Sequence, residues 1–92
     1  MAKAERSSRK TFFVVQPFEM ASGVVLPGQA YEVPTSNMAL KKAEALNERV
    51  VGGIAFSRTG DPASGEFDDA VILGMFGEIP DEALDAIREG VA

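Results

Sequence analysis

Two runs of consecutive apolar residues constrain this chain more than anything else in it: Phe12 to Val15, and Ala70 to Leu73, the second resumed by Met75 and Phe76 after Gly74. Successive strand residues point to opposite faces of a sheet, so a strand with one wet face alternates apolar with polar. These two do not alternate. Both faces of their sheet therefore carry large side chains and both need cover.

The remaining elements follow from periodicity and turn chemistry. The segment from Thr11 to Phe18, rich in aromatic and β-branched residues, predicts a first strand, with Pro17 marking its end or an edge position. Between Ser22-Gly23 and Pro27-Gly28, Val24 to Leu26 can pair briefly with the first strand, and Gln29 to Val33 reads as a second strand ended by Pro34. Thr35 or Ser36 can cap a helix expected over 36–49, whose Ala39, Leu40, Ala43, Leu46 and Val50 form one apolar stripe. Gly52-Gly53 would stop it. Residues 53–58 alternate like a strand, 59–65 form a polar loop, and 66–76 return as the partner strand of a hairpin. Pro80 and Asp81 open a short second helix with Leu84, Ile87 and Val91 on its apolar side and Gly90 as its stop.

The expected fold is therefore α+β in ββαββα order: an antiparallel sheet of about four strands with one main helix packed on one face. Residues 1–10 are expected to be a disordered basic tail, and 11–92 a single domain. No internal repeat is expected. The main helix covers one sheet face. The other is left to the short C-terminal helix or to a second molecule, so a homodimer or a required protein partner is the expectation.

Composition removes most chemistries. With neither cysteine nor histidine, the protein cannot build a thiolate metal site, a cysteine nucleophile or a serine–histidine pair. No cofactor is expected, and no enzymatic activity. The net charge is −5; residues 1–10 hold Lys3, Arg6, Arg9 and Lys10 against Glu5, a tail of +3 on a remainder of −8. So acidic a domain disfavours nucleic acid as the main partner. No segment has the length of a membrane span or of a secretory signal's apolar region, which makes the cytoplasm the expected location.

The stretch Ala55-Phe-Ser-Arg-Thr-Gly-Asp-Pro62, followed by Gly65-Glu-Phe-Asp-Asp-Ala-Val71, resembles the signature of a family of short, uncharacterised proteobacterial proteins, some of them prophage-associated. The resemblance extends over most of residues 11–82. It implies a small bacterial protein and assigns no activity.

Several residues are candidates for function. Asp61, Glu66 and Asp68 of the acidic hairpin are the candidate cation ligands, although their spacing is not that of a calcium loop and they read first as a solvated turn. Arg58 can bind an anion or a partner's carboxylate, or else pair across the strands with Glu66 or Asp68. Arg58, Asp61, Asp69, Ile72 and Phe76 are the candidate partner-binding residues. The leading expectation is a non-enzymatic protein-interaction module. The alternatives are a small divalent-metal or carboxylate enzyme using the acidic hairpin, and an accessory nucleic-acid binder acting through the tail.

Overall fold

A computed structural model describes residues 9–89. Its elements are β1 (Lys10–Ala21), β2 (Val24–Pro27), β3 (Tyr31–Val33), α1 (Ser36–Glu44), β4 (Val50–Asp61), β5 (Glu66–Phe67), β6 (Val71–Gly77) and α2 (Asp81–Arg88). The two twelve-residue strands, β1 and β4, pair antiparallel along the middle of the sheet, from Lys10 opposite Gly60 to Glu19 opposite Val50. Along the other side of β1 lie β2, against Phe18 to Ala21, and β3, against Phe13 to Val15. Along the outer side of β4 lie β5, against Gly60 and Asp61, and β6, against Gly52 to Ser57.

This corrects the expected layout. Strands make up 49% of the described residues and helices 21%. The sheet has six strands and curls as an antiparallel half-barrel, and it carries two small helices instead of one main helix on a four-stranded sheet in ββαββα order. Three local causes account for the difference. First, the outer rows are broken: residues 28–30 separate β2 from β3, and residues 68–70 separate β5 from β6. Second, β1 runs through Pro17, which falls in the gap between its β3 and β2 pairings. The Pro17 carbonyl accepts from the Gly28 N–H across that gap, and the missing proline N–H points to the same side, where no strand asks for it. Third, the first helix ends at Glu44, because the Asn47 side-chain oxygen accepts from the Arg49 and Val50 N–H groups at 2.8 Å and turns the backbone. Val50 consequently begins β4 and does not extend the helical stripe.

Other expectations hold in detail. Thr35 is the cap, its Oγ1 accepting from the Met38 N–H at 3.1 Å. The strand over 53–58 lies within β4, and Pro80 precedes α2. Of the expected tail over 1–10, residues 1–8 lie outside the described residues, as do Gly90 and Val91, while Arg9 pairs with Asp68 and Lys10 belongs to β1.

Each sheet face has its own helix. On one, Val15, Val33 and Ala55 pack with Ala39 and Ala43 of α1, flanked by Phe13, Leu40, Leu73 and Phe76. On the other, Phe18, Ile54 and Phe56 pack with Ile87 of α2, flanked by Val14, Ile72, Ala83 and Leu84. Both sheet faces thus find a helix within one molecule, although Val71 and Met75 of the second run stay exposed. A bulge between Ala55 and Phe56 places Ile72 on the α2 face while Leu73 and Phe76 serve the α1 face.

The element order is βββα twice, a repeat that apolar periodicity does not reveal. In each half a long central strand turns through Ala-Ser-Gly, at 21–23 and at 63–65, into a short outer strand. A second outer strand then leads through Glu-Val-Pro (32–34) or Glu-Ile-Pro (78–80) to a helix. The glycines of both turns have positive φ, 79° at Gly23 and 80° at Gly65. The halves differ in where the helix goes. Gly77, at φ 73°, turns the backbone after β6, and α2 packs on the face opposite α1.

Candidate functional site

One end of the sheet is built around the β4–β5 hairpin. Asp61 organises the turn: its Oδ1 accepts from the Ala63 N–H at 2.9 Å and its carbonyl from the Gly65 N–H at 2.8 Å. Beyond the turn, Phe67 sits opposite Gly60. A Cβ at Gly60 would come within 2.5 Å of the Phe67 ring, so the glycine makes room for the aromatic.

Arg58 lies two residues before Gly60 on the same face, opposite Phe12 of β1. Its guanidinium carbon stands 5.1 Å from the centre of the Phe67 ring. Phe12 and Phe67 tilt against one another with centroids 6.0 Å apart, and the Lys10 ammonium lies 5.3 Å from the Phe12 ring. The result is a row of two cations and two aromatics across three strands. Such contacts contribute roughly 0.5–1 kcal/mol each where solvent reaches them. The Nε of Arg58 is buried and has no hydrogen-bond partner among the described residues.

The cross-strand ion pair expected of Arg58 is absent. Asp61 stands opposite Glu66, and Asp68 is drawn to Arg9 at 2.7 Å. The register leaves Arg58 beside the β5–β6 break, where Asp68 turns to Arg9 and Asp69 is exposed, and neither pairs with it. Among the described residues no three acidic side chains converge on one point, so Asp61, Glu66 and Asp68 do not share a cation position. Asp69 is exposed in the break.

Ile72 and Phe76, grouped from sequence as one partner surface, are parted by the fold and serve opposite cores. What the sequence did not signal is the outer edge of β6. Its pairing is with β4 on one side, and among the described residues nothing pairs the other. The strand, Val-Ile-Leu-Gly-Met-Phe-Gly, holds no charge and no proline, and Val71 and Met75 are 58% and 48% exposed. The opposite sheet edge is short and interrupted, with Pro27 in β2 and Pro34 after β3. An apolar groove of about 230 Å³ also lies between α2 and β1, lined by Gln16, Phe18, Pro27, Ala83, Ala86 and Ile87.

No described helix is long and apolar enough to cross a membrane. Comparison of the protein with models of known protein families, with characterised proteins and with solved structures finds no match.

Proposed function

We infer that the protein is a non-enzymatic protein-interaction module whose contact strand is β6 and whose first partner is a second copy of itself. The observation that carries this reading is the unpaired, uncharged outer edge of β6 between two exposed apolar side chains. An open strand edge presents N–H and C=O groups ready to pair with another strand, and charge or proline is the usual guard against it. Here those guards stand on the opposite edge. With one competent edge among the described residues, pairing two β6 strands antiparallel about a two-fold axis closes the assembly as a dimer and stops it growing into a fibre.

Two features keep such a dimer weak. The bulge leaves Gly74–Gly77 as the regular stretch able to pair. Each copy also carries −5, so the copies repel until salt screens them. Sedimentation equilibrium of the wild type and of Met75→Lys, at low and high salt, tests the reading. Reversible dimers that strengthen with salt, and that Met75→Lys abolishes, are the expected result. A monomer at millimolar protein in high salt, or equal association of both proteins, refutes it.

A further inference from the structure

We propose that Arg58, set between Phe12 and Phe67, is a binding site for a single carboxylate, of the kind an acidic peptide side group or a free peptide C-terminus presents. The site is independent of the β6 edge.

The first ground is an unmet demand. A guanidinium carries five N–H donors in a rigid fork, and the Nε of Arg58 is buried without a partner among the described residues. The protein itself screens the Nε from solvent, so an incoming carboxylate pairs with the outer N–H groups of the half-buried guanidinium, for which a carboxylate is the usual partner. The sheet supplies carboxylates close by in sequence but commits or diverts them. Asp68 bonds Arg9, Asp61 holds its own turn, Glu66 stands opposite Asp61 one residue before Phe67, and Asp69, though beside Arg58 in the break, is exposed and makes no ion pair with it.

The second ground is preorganisation. The Phe67 ring, 5.1 Å away, holds one side of the guanidinium, and Gly60 keeps Phe67 in place. Arg58 therefore loses little conformational freedom on binding, which is a main cost of recognition by a long side chain. Lys10, over Phe12 in the same row, adds a second positive charge at the rim.

The surroundings choose between anions. Asp61, Glu66, Asp68 and Asp69 all belong to this hairpin. Their field opposes a doubly charged phosphate more than a singly charged carboxylate, and a planar carboxylate also matches the guanidinium fork.

Nitrogen-edited spectra of the arginine Nε–H groups read this directly. The intact protein is titrated with sodium acetate, then with a short glutamate-rich peptide, and separately with inorganic phosphate, at ionic strength matched by sodium chloride. The expected result is a saturable shift of the Arg58 Nε–H with acetate, reached at lower concentration with the peptide, while the Arg49 and Arg88 signals stay put. Arg58→Lys, which keeps the charge and removes the fork, should lose the accompanying shifts of the Phe12 and Phe67 amides. An unmoved Arg58 signal, or parallel movement of all the arginines, overturns the proposal. So does a phosphate response equal to that of acetate. If Glu5→Gln in the unliganded protein releases an Nε–H already bonded, the carboxylate is the protein's own, and the site for a partner is likewise refuted.

Discussion

Gly53 of β4 lies directly beneath Ala43 of α1: a Cβ built on Gly53 would stand 2.5 Å from the Ala43 carbonyl oxygen and 3.1 Å from its Cα. The helix presents small residues, Ala39 and Ala43, to a sheet surface that is itself small at Gly53 and Ala55. Backbone meets backbone there, and neither side can yield by rotating a side chain.

Gly53→Ala should accordingly destabilise the fold by about 1–3 kcal/mol, the usual range for overpacking a tight site. Gly28→Ala is the matched control. A Cβ at Gly28 would meet the Glu19 carboxylate, the far end of a flexible side chain that can swing away, and stand 3.3 Å from the Pro17 Cγ, a gap a few tenths of an ångström relieve, so its cost should stay below about 1 kcal/mol. Urea denaturation of the two variants measures both. Equal losses would mean that the close helix approach is not what Gly53 secures.

Ile87 holds the second helix. It is 4% exposed and packs with Phe18 and Ile54, each fully buried. Ile87→Ala should cost about 2–5 kcal/mol, as truncations in well-packed cores do. The loss should be local first. The amides of α2 should exchange faster with solvent while those of Val15 and Ala55, on the α1 face, remain protected. Uniform loosening of both faces would show that α2 and the sheet unfold as one unit.

Asn47 is the residue that separates helix from strand, and it shows how much the sequence could reveal. The apolar spacing of Ala39, Leu40 and Ala43 marked α1 correctly, and the spacing continued through Leu46 to Val50. Periodicity alone could not see that Asn47 competes for the backbone. The side chain accepts two main-chain N–H groups that a longer helix would have used. Asn47→Ala should cost about 1 kcal/mol and speed exchange at Arg49 and Val50. Unchanged exchange there would assign the helix end to tertiary packing instead.

Elsewhere the limits were of the same physical kind. The unalternating runs Phe12 to Val15 and Ala70 to Leu73 do report a sheet covered on both faces, and Ile87 does complete the second core. Whether one strand row is continuous or broken depends on pairing partners far away in sequence. Pro17 reads as a strand end or an edge position; β1 runs on past it, and its outer side is edge-like only because residues 28–30 leave a gap between β2 and β3. The doubled Ala-Ser-Gly turns and the Glu-Val-Pro and Glu-Ile-Pro segments were legible signs of the repeated βββα order. The Arg58 row was half legible. Its residues were visible, but the register that sets Phe67 opposite Gly60, within reach of Arg58, depends on the four residues between Asp61 and Glu66.

The first turn offers a gain in stability. Ala21 and Val24 close a two-residue hairpin whose inner residues both have positive φ, 53° at Ser22 and 79° at Gly23. That is the type I′ geometry favoured between strands because its twist matches theirs, and its preferred sequence is Asn-Gly. Glycine already fills the second position. Serine at the first is an L-residue held in left-handed backbone, where its Cβ crowds the following carbonyl, whereas asparagine tolerates that region better than other non-glycine residues. Ser22→Asn should therefore stabilise the protein by roughly 0.5–1 kcal/mol, within the range for relieving an unfavourable backbone choice. Ser64 is the control. It occupies the corresponding place in the second Ala-Ser-Gly turn, but there only Gly65 has positive φ, and the Ser64 Oγ accepts from the Glu66 N–H at 3.3 Å. Ser64→Asn has no such strain to relieve and should be neutral or slightly harmful. Thermal denaturation of the two variants decides the matter: a gain at Ser64 equal to that at Ser22 would show that asparagine acts through turn propensity in general, not through the left-handed conformation of Ser22.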